Sequence, residues 1–124
     1  MAFYLIYIQE AHATDGWQTD SNVKDKVLIA NPKTLEERGS VAHSCIRNLK
    51  IDVPALLDDF QNSVEVAYTG WPDRLYVIDR EGRIAHKGKA GPFGFKPQEV
   101  RDTLQRLVPR MTPKPVALMQ RLSR

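Results

Sequence analysis

Cysteine is almost missing from this sequence: its 124 residues contain one, Cys45. That excludes a disulfide framework within the chain and any Cys-x-x-Cys redox or zinc motif. So little thiol fits a reducing compartment, and the expected location is cytoplasmic. Long apolar runs are missing too. "AFYLIYI" at residues 2–8 falls far short of a membrane-spanning helix. It also lacks the basic start and cleavage site of a signal peptide. No histidine, cysteine or carboxylate pair has zinc-ligand spacing, and no phosphate loop is present, so no metal or nucleotide cofactor is expected. The stretch from Val108 to Arg124 lacks acid altogether, holding 4 of the 18 basic residues and none of the 15 acidic ones. Those cations are too sparse for a nucleic-acid surface or an anionic membrane.

What is present is an ordinary soluble composition, 42% hydrophobic and 27% charged, with a net charge of +3. The length allows one domain with one modest core. Residues 2–8 are almost continuously apolar, as in a strand buried on both faces. A polar loop follows from Glu10 to about Lys26, and "VLIA" (27–30) reads as a short strand or extended turn. "NPKTLEERGSVAHSCIRNLKI" (31–51) predicts a helix. Thr34 is placed to cap it, Glu36 and Glu37 suit its positive end, and Leu35, Val41, Ala42, Cys45, Ile46 and Leu49 form its apolar stripe. "VPALLD" (53–58) predicts a short strand closed by two aspartates, and "SVEVAYTGW" (63–71) a short helix running into a turn. "RLYVID" (74–79), a turn at Gly82 and "RIAHKG" (83–88) predict a β-hairpin. "KPQEVRDTLQRLV" (96–108) predicts a last helix with Pro97 in its first turn. The order is that of an α/β domain over residues 1–108, followed by a basic, proline-containing tail at 109–124.

Chemistry concentrates in "YIQEAHATDGW" (7–17), just past the first strand, where α/β folds place sites. His12 suits a proton relay or a hydrogen bond to substrate. It also suits a plain loop histidine bonded to a nearby carbonyl. Glu10 can orient His12 and favour its charged form, or simply accept loop N–H groups. Asp15-Gly16 reads as a turn. Trp17 walls a pocket or covers the core edge. Cys45 lies on a helix stripe, away from a helix N-terminus or a cation cluster, and reads as an inert thiol.

Two blocks resemble the iodothyronine deiodinases and their bacterial relatives: "YIQEAHATDGW", and "AYTGWPDRLYVIDREGRIAHKGKAGPFGFKPQEV" (67–100), with "TLEERGSVAH" between them. The resemblance implies a thioredoxin-like (redoxin) three-layer α/β fold and an oxidoreductase activity. It implies that His12, with Glu10, stands near a selenocysteine or cysteine nucleophile. It also implies that a cis Pro72 after Trp71, with Trp17, Arg74, Gly91, Pro92 and Phe93, lines the substrate pocket. A thiol reductant would be co-substrate and a small molecule the substrate.

In that family the nucleophile sits at the N-terminus of the first core helix, ahead of the strand matched by residues 2–8. We therefore expect this sequence to lack the first strand, the nucleophile and the first helix, and to be inactive alone. A selenocysteine codon is ordinarily read as stop, and a start assigned to the next methionine would give this N-terminus. An incomplete sheet would call for a second copy or a strand-donating partner. Two departures bear on substrate. Ala90 stands where animal members can have a substrate-clamping arginine, and Pro32 stands where the family has a second histidine. The rival expectations are a thiol reductase or peroxidase using Cys45, and a non-enzymatic module that completes its sheet with a partner.

Overall fold

The computed structural model describes residues 1–108. The predicted basic tail at 109–124 lies outside the described residues. Eight elements follow in chain order: β1 (Leu5–Tyr7), α1 (Asp20–Lys24), α2 (Leu35–Asn48), β2 (Ala55–Leu57), α3 (Ser63–Tyr68), β3 (Tyr76–Ile78), β4 (Ile84–Lys87) and α4 (Pro97–Leu107). The class is α/β. The strands do not form one sheet. β1 pairs with β2 in parallel, in register Leu5–Ala55, Ile6–Leu56 and Tyr7–Leu57. β3 pairs with β4 antiparallel, with an irregularity between Val77 and Ile78. The sheets are separate two-stranded units.

Each unit carries its own helix, α2 against β2 and α4 against both strands of the hairpin. Thr34 caps α2 as predicted, its hydroxyl accepting the Glu37 N–H at 3.1 Å. Pro97 opens α4, where its missing N–H costs no hydrogen bond. Gly82 turns the hairpin at φ +80°, and the Asp79 carboxyl receives the Glu81 and Arg83 N–H groups beneath it.

The predicted strand 2–8 shrinks to Leu5–Tyr7, because β2 offers hydrogen bonds only from Pro54 O to Asp58 N. Residues 27–30 form no strand; the Ile29 carbonyl instead accepts the Thr14 N–H at 2.8 Å. The predicted loop from Glu10 to Lys26 contains α1, which Thr19 caps through the Asn22 N–H. Five polar-rich residues have too little apolar period to be read as a helix from sequence.

α3 bridges the two units. The aspartates that close β2 supply its first turn with acceptors: Asp59 takes the Ser63 N–H at 2.9 Å, and Asp58 takes those of Val64 at 3.0 Å and Glu65 at 2.9 Å. Asp58 is 1% exposed. From α3, Glu65 accepts the Gln9 amide at 3.0 Å beyond β1, and the Tyr68 carbonyl accepts the Tyr76 hydroxyl of β3.

The apolar core is thin. Among the described residues Ala13, Ala42 and Val77 are its buried hydrophobics, while Ile6, Leu56, Ile78 and Ile84 of the strands stay exposed. The predicted α2 stripe is covered only at its centre: Ala42 is buried, but Leu35 and Leu49 are exposed.

Asp58→Ala strands the Val64 and Glu65 N–H groups of α3 and the Asp59 N–H of the turn, and is expected to destabilise the fold by about 3 kcal/mol. Asp58→Asn, which keeps one acceptor oxygen, costs less. Urea midpoints at neutral pH check both; an unchanged midpoint for the alanine variant would contradict this account of α3.

Candidate active site

The polypeptide leaves β1 at Tyr7 and enters a pinned loop. Ala13 is buried, and its carbonyl accepts the Gly16 N–H at 3.0 Å. Asp15 accepts the Asn31 N–H at 2.8 Å, and this bond is the main reason its carboxyl is held below the usual range. The loop is therefore tied at Thr14 and Asp15 to residues 29–31, leaving the side chains on either side to be placed by it.

His12 is one of these. Its Nδ1 lies 3.1 Å from the Trp17 carbonyl oxygen. A carbonyl only accepts, so Nδ1 carries the proton, and in the neutral ring Nε2 carries the free lone pair. The Trp17 indole meets the imidazole edge-on, with centroids 4.7 Å apart and planes at 70°. Trp17 is 72% exposed, so it covers His12 and not the core. Trp17 is thus the residue that orients His12; among the described residues no hydrogen bond joins Glu10 to it.

Glu10 faces α2 instead. Burial pushes its carboxyl above the ordinary range, and the Arg38 guanidinium opposes that rise. Cys45 of the same helix is half-buried, and burial, then the Glu10 charge, pushes its thiol up. That is the reverse of what a nucleophilic cysteine needs.

A second cluster forms where the turn before β3 meets the segment after β4. The Trp71–Pro72 and Gly91–Pro92 bonds are both cis. The Asp73 carbonyl accepts the Gly91 N–H at 3.0 Å, and Arg74 donates to the Gly88 carbonyl at 3.0 Å. A side chain at Gly91 would overlap the Asp73 carboxyl, so glycine is required by this approach. Asp73 Oδ1 is buried without a partner among the described residues. Trp71 is exposed, and Phe93, at 94% exposure, projects fully into solvent.

The two clusters approach one another through the backbone beyond β1. A side chain at Gly70 would touch Ile8 at 3.7 Å, and Gln9 bonds Glu65. Pro72, Arg74, Gly91 and Pro92 are brought together, whereas no hydrogen bond or ring contact among the described residues joins them to His12. A 410 Å³ groove lined by Met1, Pro97, Val100 and Leu104 shares no residue with either cluster. No group of three or more potential metal ligands occurs among the described residues.

Two residues of the site escaped sequence reasoning. Arg38 was legible: it stands four residues before Ala42 and seven before Cys45, on the same helical face. Asp73 was not, because its approach to Gly91 depends on two segments eighteen residues apart meeting across the hairpin.

The sequence model of the family described as iodothyronine deiodinase matches residues 1–108. The type I iodothyronine deiodinase of Xenopus laevis is 36% identical over 104 residues, covering 84% of this chain and 39% of that protein. The thyroxine 5-deiodinase of Homo sapiens is 38% identical over 107 residues, covering 84% of this chain and 33% of that protein. The chain thus spans well under half the length of these relatives. On the match across residues 1–108, which takes in both clusters, the chain belongs to the iodothyronine deiodinase family.

Proposed function

We propose that this chain is the histidine-bearing part of a thioredoxin-like oxidoreductase that removes halogen reductively. Its nucleophile, a selenol or thiol, is supplied by a strand and helix outside residues 1–124. The observation that carries this reading is the state of His12. Its Nδ1–H is committed to the Trp17 carbonyl, so Nε2 is left as a proton acceptor at the end of β1. The cis Pro72 ahead of β3 supports it, since thioredoxin-like folds carry a cis-proline there.

In this scheme Nε2 takes the proton of the selenol or thiol. The resulting anion accepts the iodine from carbon, the carbon–iodine bond breaks, and the electron pair left on carbon takes the proton from His12. Two equivalents of a thiol reductant then release iodide and become a disulfide, restoring the nucleophile. The substrate class is a small halogenated or otherwise soft electrophile. Ala90 and Pro32 remove two groups that the family resemblance ties to hormone recognition, so the proposal stops at that class.

Cys45 serves this chemistry poorly, because burial and a nearby carboxylate both oppose its thiolate. The strand–helix addition also answers a packing need. It would pair with the free edges of β1 and β3 and cover Ile6 and Ile78. We propose a cytoplasmic setting and a dissolved thiol as the reductant.

Three outcomes are expected. His12→Gln in the full polypeptide carrying the nucleophile lowers kcat/KM for thiol-dependent dehalogenation by about 100-fold. A loss below about threefold would remove His12 from the proton path. Cys45→Ser leaves the same activity in place. Cys45 in the native protein is alkylated by iodoacetamide at neutral pH more slowly than a free cysteine, as a raised thiol pKa requires. Rapid alkylation, or thiol-dependent dehalogenation by residues 1–124 alone, would return the nucleophile to Cys45.

A further inference from the structure

Helix α4 turns one face to the hairpin. Thr103 is buried there, and the Glu99 carboxylate lies 3.9 Å from His86 of β4. A second face, Val100, Leu104 and Val108 at i, i+4 and i+8, lines the 410 Å³ groove that Met1 also lines. Val100 and Leu104 are half-buried, and Val108 and Met1 are exposed. Arg101 and Gln105 are its polar lining, and no carboxylate joins them. An apolar row at four-residue spacing is the ridge against which a second helix packs.

The sequence that leaves this groove at Val108 matches it. Proline stands at 109, 113 and 115, so α4 cannot run on through the tail. From there Pro115, Leu118, Met119 and Leu122 recur at i, i+3, i+4 and i+7, the spacing of one helix face with proline at its first position. Arg121 and Arg124 fall on the opposite face, so the apolar face can meet the groove without bringing them to Arg101. Residues 109–114 separate Val108 from Pro115, a connection within the range of about two to eight residues that joins neighbouring helices. The eight residues 115–122 would span about 12 Å as a helix, the distance along α4 from Val108 back to Val100.

We propose that residues 115–122 of this chain fold back antiparallel to α4 and seat Leu118, Met119 and Leu122 in the groove beside Val100 and Leu104. This docking does not depend on the chemistry proposed above. The short tether makes it intramolecular, at an effective concentration on the order of millimolar, which a segment this small needs. A second copy of the chain fits the groove less well. A stable dimer buries about 800 Å² on each partner, more than a groove bounded by one helix face and Met1 supplies. The docked segment adds apolar cover to a chain whose buried hydrophobics, among the described residues, are Ala13, Ala42 and Val77. It also ties Met1, at the entry to β1, to the last helix.

The test is NMR on the full chain with Cys45→Ser and a nitroxide attached at Ser123→Cys. Laid antiparallel, residue 123 reaches the Pro97 end of α4, so the label broadens the amides of Val100 and Arg101 more than that of Leu107. No broadening on α4, or broadening that is strongest at Leu107, overturns the proposal. Leu118→Asp removes the effect while leaving the β3 and β4 amide shifts in place, and hydrogen exchange at Val100 and Leu104 becomes about tenfold faster. Leu118→Met keeps both. Broadening that survives Leu118→Asp overturns the proposal. Spin-labelled chains mixed with ¹⁵N-enriched, unlabelled chains leave the α4 amides sharp; broadening in that mixture gives the groove to a second copy and overturns it. In a polypeptide extended before Met1 the label gives the same pattern. Sharp α4 amides there give the groove to the preceding segment and likewise overturn it.

Discussion

The structure depends on a backbone constraint: a strand in a sheet interior needs hydrogen-bond partners on both sides. Among the described residues β1 has one neighbour, β2, and β3 has one neighbour, β4; the two pairs are separate sheets. Isoleucines that a continuous sheet would bury, Ile6 and Ile78, are exposed, and the α2 stripe is covered only around Ala42. An unpaired strand edge with apolar neighbours is a place for another strand. The proposed function fills it with the segment that would bring the nucleophile to His12.

With so little apolar burial, polar bonding carries much of the connection between the two units. Asp58 and Asp59 cap α3, Arg38 ties their corner to α2, and α3 reaches Gln9 on one side and Tyr76 on the other. This network holds the end of β1 near the Pro72 turn without a hydrophobic core between them. Its cost is that it places charged groups in half-buried positions, where their proton affinities become sensitive to one another. Glu10 and Cys45 are the clearest case: burial raises both, with the Arg38 charge opposing the rise at Glu10 and the Glu10 charge adding to it at Cys45.

The sequence was most informative where one local rule decides the outcome. Thr34 ahead of two glutamates gave the start of α2, Gly82 between two β-rich runs gave the hairpin turn, and Pro97 gave the start of α4. It was least informative where the result depends on what lies beside an element. Residues 2–8 read as a long buried strand, yet only Leu5–Tyr7 pairs, because a strand's length is set by its neighbours. The orientation of His12 by Trp17 could not be read either. The tryptophan's apolar bulk argued for the core, whereas the turn at Asp15-Gly16 carries it outward over the imidazole. Glu10, the obvious carboxylate for His12 by spacing, answers to α2 instead. Family membership was legible in the Glu-Ala-His and Asp-Gly-Trp residues; the hydrogen bond from His12 to the Trp17 carbonyl was not.

The central claim is the proposal that the nucleophile segment seats between β1 and β3. Amide hydrogen exchange over Leu5–Tyr7 and Tyr76–Ile78 tests it most directly, comparing residues 1–124 with a polypeptide extended by the family's preceding strand and helix. The account predicts that both strands gain strong protection in the extended form, with no comparable change at β4. Equal protection of β1 and β3 in the two forms would contradict it.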